Sequence, residues 1–265
     1  MAALLRALAK GYHVVNDEWS DERTKDYWFI GSPLPITIII TSYVYFSRNL
    51  GPRLMADRKP FQLEWIIRVF DLTQIVANLY IFERCISLAW GGTYNWWCEP
   101  LDYSRSPHAM AVVNGVYAYF IIKIVDLLDT VFFILKKKDG HVSFLHVYHH
   151  GGMVFASWFA VKYMPGGHAT FLGLLNSFVH AVMYTYYFWT SMYPEYKKYI
   201  WWKKHITQLQ MLQFLLIMLH AGQLFVANPC KYPIIASVLL VPQNLFMLIL
   251  FYDFYRKAYR PTKLE

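Results

Sequence analysis

Apolar stretches long enough to cross a bilayer recur down the whole chain, at about 32–50, 63–89, 110–135, 144–162, 168–190, 205–226 and 233–255. Roughly 20 helical residues span the hydrocarbon of a membrane, and one soluble core could not hide so many runs of that length. Composition agrees. Only 16% of the 265 residues are charged and 57% are hydrophobic, whereas soluble domains carry about a quarter charged residues. The pattern predicts an all-α, polytopic membrane protein: seven transmembrane helices in a single domain over 1–265, around a polar chamber. The second and third runs are longer than a bilayer needs, so they are expected to tilt or to extend into water. No linker is rich in Gly or Ser, and no internal repeat is evident. The first 30 residues carry Asp17, Glu18, Asp21, Glu22 and Asp26 and lack the apolar core of a cleavable signal peptide.

Charge orients the spans. The segments after spans one, three, five and seven hold Arg48, Arg53, Arg58 and Lys59; Lys136, Lys137 and Lys138; Lys197, Lys198, Lys203 and Lys204; and Arg256, Lys257, Arg260 and Lys263. The intervening loops hold only Arg105, Lys162 and Lys231. Basic loops face the cytosol, which puts the C-terminus in the cytosol and the N-terminus on the opposite side. Arg6, Lys10, Arg23 and Lys25 run against that rule in the N-terminal segment. The formal net charge of +8 is thus mainly a cytosolic rim, suited to anionic lipid or to a polyanionic substrate. These charges are spread over short membrane-edge loops, which argues against nucleic acid. Cys98 and Cys230 both fall in non-cytosolic loops. That side is oxidising in the endoplasmic reticulum, so a Cys98–Cys230 disulfide is expected, with Cys85 a buried thiol.

Ionisable residues inside a span cost about 2.5–3.5 kcal/mol each and need a partner or a wet cavity. Span three reads "YFIIKIVDLLDTVFFIL". Lys123, Asp126 and Thr130 share one helix face there, with Asp129 about 60° off it. Span four opens "FLHVYHH". His146, His149 and His150 at i, i+3 and i+4 fall in one sector about 100° wide. Span five places Asn176, His180, Met183, Tyr184 and Tyr187 on one face, and span six places Thr207, Gln210 and Gln213 on another. Span two carries Glu64, Arg68, Asp71 and Asn78. Counted from the cytosolic ends, the histidine box, Asp129 and the glutamines lie at similar depth. The economical explanation is a polar chamber open to the cytosol.

Four readings of such a chamber compete. His-x-x-His-His resembles a histidine box of membrane di-iron desaturases and hydroxylases, and imidazole suits iron or zinc. Such centres need several boxes, however, and this chain has one; no metal is expected. Imidazole also serves as base or nucleophile near neutral pH, with a carboxylate to fix its tautomer. A seven-helix lipid-binding receptor matches the span count, but its polar face would lie at the wrong end for an extracellular ligand. Hydrogen bonding between helices accounts for Gln213 or Asn78 singly, and poorly for four histidines.

The motifs "KIVDLLDT", "HVYHH", "NSFVHAVMYTYY" and "TQLQMLQ", each on its own span and in this order, resemble those of the very-long-chain fatty acid elongase (ELO) family. The run "LLDTVFFILKKK" is similar to its animal branch. The resemblance covers nearly the whole chain. One position departs: Asp126 stands where the family's pattern has Glu, which ranks it below Asp129.

The resemblance implies condensation of a long-chain acyl-CoA with malonyl-CoA to 3-oxoacyl-CoA, CO2 and CoA, in the endoplasmic reticulum membrane. In a ping-pong scheme His149 carries the acyl group as an acyl-imidazole. His180 and Lys123 then face the developing oxyanion, and His146, His150, Asp129 and Asp126 tune the nucleophile. Asn176, Tyr184, Tyr187, Thr207, Gln210 and Gln213 line the substrate, and Lys203, Lys204 and Arg256 meet CoA phosphates. No permanently bound cofactor is implied. Partners are the two CoA esters, membrane lipid and the reductases and dehydratase of the cycle, with a homodimer admitted.

Overall fold

The computed structural model describes residues 1–195 and 202–259. Lys197, Lys198, Arg260 and Lys263 of the basic rim lie outside the described residues. Every regular element among those described is helical. In chain order they are α1 (Ala2–His13), α2 (Pro33–Tyr45), α3 (Gly51–Met55), α4 (Glu64–Cys85), α5 (Pro107–Val125), α6 (Leu128–Leu135), α7 (Phe144–Tyr163), α8 (Thr170–Met192), α9 (Lys203–Val226) and α10 (Ile235–Tyr259). π-helical turns extend α1, α2 and α4 over Val14–Glu18, Phe46–Leu50 and Ile86–Trp90. Among the described residues, three helices are long and apolar enough to cross a membrane: Glu64–Trp90, Lys203–Val226 and Ile235–Tyr259.

The third apolar run departs from the continuous span expected over 110–135. The chain leaves α5 at Val125, turns through Asp126 and Leu127, and resumes as α6. Leu127 N–H donates to Ile124 O at 3.2 Å, and Asp129 N–H to Asp126 O at 3.2 Å. These i→i+3 bonds tighten the chain to about three residues per turn, where side chains three apart eclipse. Asp129 is thereby drawn toward the side of Asp126, rather than standing 60° from it. The break falls within the KIVDLLDT motif itself.

The chain divides into two compact units, Met1–Pro60 with Leu101–Gly166 and Phe61–Pro100 with Gly167–Glu265. In the first, serine side chains cap three helices. Ser32 accepts the Leu34 N–H at 3.2 Å, Ser106 the Ala109 N–H at 3.1 Å and Ser143 the His146 N–H at 3.2 Å. Each fills an N–H that a helix start leaves without an internal partner. Proline follows the cap in α2 and α5, where its missing N–H costs nothing. The core joins Ile36 and Tyr43 of α2, Phe120 of α5 and Val147, Val154, Trp158 and Val161 of α7. The polar N-terminal segment closes the far end of α7. Asp21 N–H donates to Lys162 O at 2.7 Å, Thr24 Oγ1 to Val161 O at 3.0 Å, and Lys162 Nζ to Ile30 O at 3.0 Å. Arg23 pairs with Asp21 at 2.7 Å and donates to Asp102 O at 2.6 Å and Ser104 O at 3.0 Å. Asp21 and Thr24 of this segment thus meet the backbone carbonyls at the end of α7, and Arg23 ties Asp21 to the Asp102 and Ser104 carbonyls.

In the second unit α4 and α8 run antiparallel. Arg68 Nη2 donates to Ser191 O at 2.7 Å, Phe82 meets Phe178 at 5.5 Å and Trp90 meets Phe171 at 5.3 Å between ring centroids. Helix α10 folds back on α9, with Ser237 Oγ donating to Ala221 O at 2.8 Å and Phe214 against Phe251 at 5.0 Å. Cys98 and Cys230 stand at disulfide distance, Cα atoms 5.6 Å apart, as their shared side of the topology predicted. Cys85 is free and half-buried.

Burial on these helices is inverted relative to a soluble protein. On α4 the sealed residues are Asp71 (2% exposed), Gln74 (1%) and Asn78 (0%), while Leu72 (50%), Val76 (61%) and Leu79 (49%) face outward. Helix α9 buries Thr207 and Gln213 and exposes Leu212 and Leu219; α10 buries Ser237 and Asn244 and exposes Leu239 and Ile249. In water the leucines would be inside. An apolar exterior around polar interior faces is the arrangement a bilayer selects.

Candidate active site

The histidine box occupies the first two turns of α7, behind the Ser143 cap. The i, i+3, i+4 spacing gathers the rings as expected. The centroids of His146 and His150 lie 4.2 Å apart, tilted by 44°. His149 stands edge-on to His150 at 5.7 Å. All three are half-buried.

Two other helices of the same unit reach the box. Thr130 Oγ1 of α6 lies 2.9 Å from His146 Nε2. The hydroxyl of Tyr43, from α2, lies 2.8 Å from Thr130 Oγ1. Phe133 packs edge-on against His146, with ring centroids 5.4 Å apart. Sequence reasoning does not single out Tyr43. Its one signal is a phenol in the apolar run "TSYVYFS", and tyrosines there equally suit a bilayer interface.

Lys123 Nζ donates to Asp126 Oδ2 at 2.7 Å, and the two side chains are 1% and 2% exposed. The Lys123 ammonium also lies 5.0 Å from the Tyr119 ring centroid, within cation–π range. Asp129, in the first turn of α6, is buried. Lys123, Asp126, Asp129 and Thr130, the four polar residues expected on this span, are therefore all interior, two of them as one ion pair.

The second unit holds the remaining expected residues. On α8, Asn176, His180, Met183 and Tyr184 are buried and Tyr187 is partly exposed. The His180 and Tyr184 rings lie 5.9 Å apart, and Tyr184 meets Tyr187 edge-on at 6.0 Å. On α9, Thr207 and Gln213 are buried, and half-buried Gln210 donates from Nε2 to Met183 Sδ at 3.6 Å. Phe70 of α4 packs against Tyr184 at 6.0 Å. The α4–α8 register brings Asn78, on the polar face of α4, to about the height of His180. Lys203, Lys204 and Arg256 are exposed near the start of α9 and the end of α10. Lys204 Nζ sits 6.0 Å from the Tyr255 ring centroid.

One pair went unrecognised in the sequence. His168 and His220 stack at 4.0 Å with 10° between their planes, and His168 Nε2 donates to His220 O at 2.9 Å. Phe171 and Trp90 enclose them. Residues 52 positions apart give no local spacing from which to read such a stack.

Chemically, the first unit offers imidazoles for nucleophilic or base catalysis, carboxylates, and a buried ammonium. The second offers a row of amide, imidazole, hydroxyl and phenol groups of the kind that stabilises a developing oxyanion. Among the described residues, no group of three or more His, Cys, Asp or Glu side chains is placed to hold a metal ion.

Comparison with known proteins agrees with the motifs. Residues 28–265 match the family model described as ELO: GNS1/SUR4 family. A very long chain fatty acid elongase of Aedes aegypti is 43% identical over 264 residues, 99% of this chain and 73% of that protein. Very long chain fatty acid elongase 7 of Drosophila melanogaster is 43% identical over 94% of this chain and 76% of its own length. Very long chain fatty acid elongase 1 of Mus musculus is 41% identical over 98% and 93%. With the motifs, the helical architecture and relatives that include animal elongases over nearly its whole length, the chain belongs to the ELO family.

Proposed function

We propose that this chain is a condensing enzyme of fatty acid elongation, a 3-oxoacyl-CoA synthase of the endoplasmic reticulum membrane. The reading places seven membrane spans in one elongase domain, with the N-terminus lumenal and the C-terminus cytosolic. The observation that carries it is the triple-imidazole box at the start of α7, in a chain 41–43% identical to very long chain fatty acid elongases over nearly its full length. The outward leucines of α4, α9 and α10 support the membrane setting.

In this scheme an imidazole nitrogen of His149 attacks the acyl-CoA thioester carbonyl. The C–S bond breaks and CoA departs as thiolate, taking up the imidazole's proton to leave as thiol. Malonyl-CoA then loses CO2, and the electron pair of the broken C–C bond becomes an enolate. Its α-carbon attacks the acyl-imidazole carbonyl, the C–N bond breaks, the departing imidazolate takes a proton from water, and 3-oxoacyl-CoA leaves with neutral His149 regenerated. His180 and Lys123 donate to the oxyanion. His146, His150, Asp129 and Asp126 hold and tune His149. Asn176, Tyr184, Tyr187, Thr207, Gln210 and Gln213 hydrogen-bond the substrates, and Lys203, Lys204 and Arg256 meet CoA phosphates. The carbon donor is malonyl-CoA, so the condensation needs no resident cofactor. Its 3-oxo product must be reduced, dehydrated and reduced again, so the partner enzymes are reductases and a dehydratase.

The test is an elongation assay on the purified chain with a panel of acyl-CoAs and labelled malonyl-CoA. The proposal expects 3-oxoacyl-CoA two carbons longer than the acyl-CoA supplied. Absence of labelled product across the panel, from protein shown to be folded, would sink it.

A further inference from the structure

Tyr43, Thr130 and His146 come from three different helices and meet in a line of two hydrogen bonds, 2.8 Å and 2.9 Å long. Thr130 is fully buried and Tyr43 is 7% exposed, so water does not compete freely for these groups. The threonine hydroxyl has one proton and cannot donate both bonds. A phenol, with pKa about 10, is the acidic member of the two hydroxyls and the better donor. With Tyr43 as the donor to Thr130, the Thr130 proton is free to go to His146 Nε2, which is the direction the inference takes. A ring nitrogen that accepts a hydrogen bond carries no proton, so neutral His146 keeps its proton on Nδ1.

We propose that Tyr43 is a positioning residue of the histidine box: through Thr130 it sets the tautomer and the ring angle of His146. His146 packs 4.2 Å from His150, and His150 packs 5.7 Å from His149. The orientation imposed at Tyr43 is handed along the three imidazoles. Its kinetic consequence rests on the condensation proposed above; the tautomer does not.

Tyr43→Phe removes one hydroxyl and keeps the ring in the α2–α5–α7 core. Thr130→Val removes the relay at nearly constant shape, and Thr130→Ser keeps it. Per mole of folded protein, kcat should fall about tenfold in Tyr43→Phe and in Thr130→Val, within the range of one hydrogen bond. KM for acyl-CoA should stay within about twofold, and Thr130→Ser should recover most of the loss. In 15N-histidine-labelled protein, NMR should show His146 as the Nδ1–H tautomer in the native chain and a mixture in Tyr43→Phe.

A native His146 protonated on Nε2 would overturn the inference. So would wild-type kcat in Tyr43→Phe, a change confined to KM, or equal losses in Thr130→Val and Thr130→Ser. If the native chain elongates no acyl-CoA at all, the proposed reaction fails, while the tautomer measurement still decides the relay.

Discussion

Lys123 and Asp126 stand about one helical turn apart at the end of α5 and pair at 2.7 Å, sealed from solvent on both sides. The pair sits where the helix breaks, so it anchors the turn that leads into α6 as well as neutralising two interior charges. Removing one partner takes the counter-charge from the other. Lys123→Met or Asp126→Asn should each destabilise the fold by about 3–5 kcal/mol, measured as loss of thermal stability in detergent. Asp126→Glu keeps the carboxylate and should retain most of the stability. A Lys123→Met protein as stable as the native one would show that the pair contributes nothing.

The outward face of α4 makes a second prediction. Val76 is 61% exposed and Asn78 is 0% exposed, two positions apart on the same helix. If lipid covers that face, Val76→Asp places a charge in hydrocarbon at a cost of about 2.5–3.5 kcal/mol. The yield of membrane-inserted, folded protein should drop sharply, and Val76→Leu should leave it unchanged. Full insertion of Val76→Asp would mean that water or protein covers this face.

The link between Cys98 and Cys230 closes a loop of more than a hundred residues, with a sequence separation of 132. Both cysteines should resist alkylation in non-reduced protein and react after reduction, while Cys85 responds independently. Replacing both by serine should lower stability by about 2–4 kcal/mol, read from unfolding with and without reductant. Alkylation of Cys98 and Cys230 without reduction would contradict the pairing.

His149→Ala and His180→Ala should each lower elongation by about 10²–10⁴-fold, the range for removing a nucleophile or a proton-handling group. Membrane insertion and thermal stability should stay close to native. His205, exposed at the start of α9 and bonded to Gln208, supplies the control, and His205→Ala should be near normal. Comparable losses in all three would point to general damage rather than a site.

The apolar runs were legible because lipid exposure imposes long, nearly uncharged helices, and helix covers each predicted range to within a few residues. The histidine box was legible because i, i+3, i+4 spacing fixes a common face whatever the surroundings. The Lys123–Asp126 pair followed from the same arithmetic. The break at Asp126–Leu127 was not legible: it swaps i→i+4 bonds for i→i+3 bonds without glycine or proline to mark it. Tyr43 was missed because its hydrogen bond to Thr130 depends on where α2 lies against α6, a tertiary fact absent from local periodicity. The His168–His220 stack escaped for the same reason. The inversion of burial on α4 was half visible. Asp71 and Asn78 stood out in the sequence as a polar stripe, but only packing reveals that the stripe faces inward.

The central claim is that a histidine of the α7 box carries the acyl group. Intact-protein mass after incubation with a long-chain acyl-CoA, in the absence of malonyl-CoA, tests it most directly. The account predicts a mass increase of one acyl group, one equivalent of CoA released, and loss of both in His149→Ala. Unmodified protein with no CoA release, alongside normal product once malonyl-CoA is added, would contradict the acyl-imidazole and leave a direct condensation in its place.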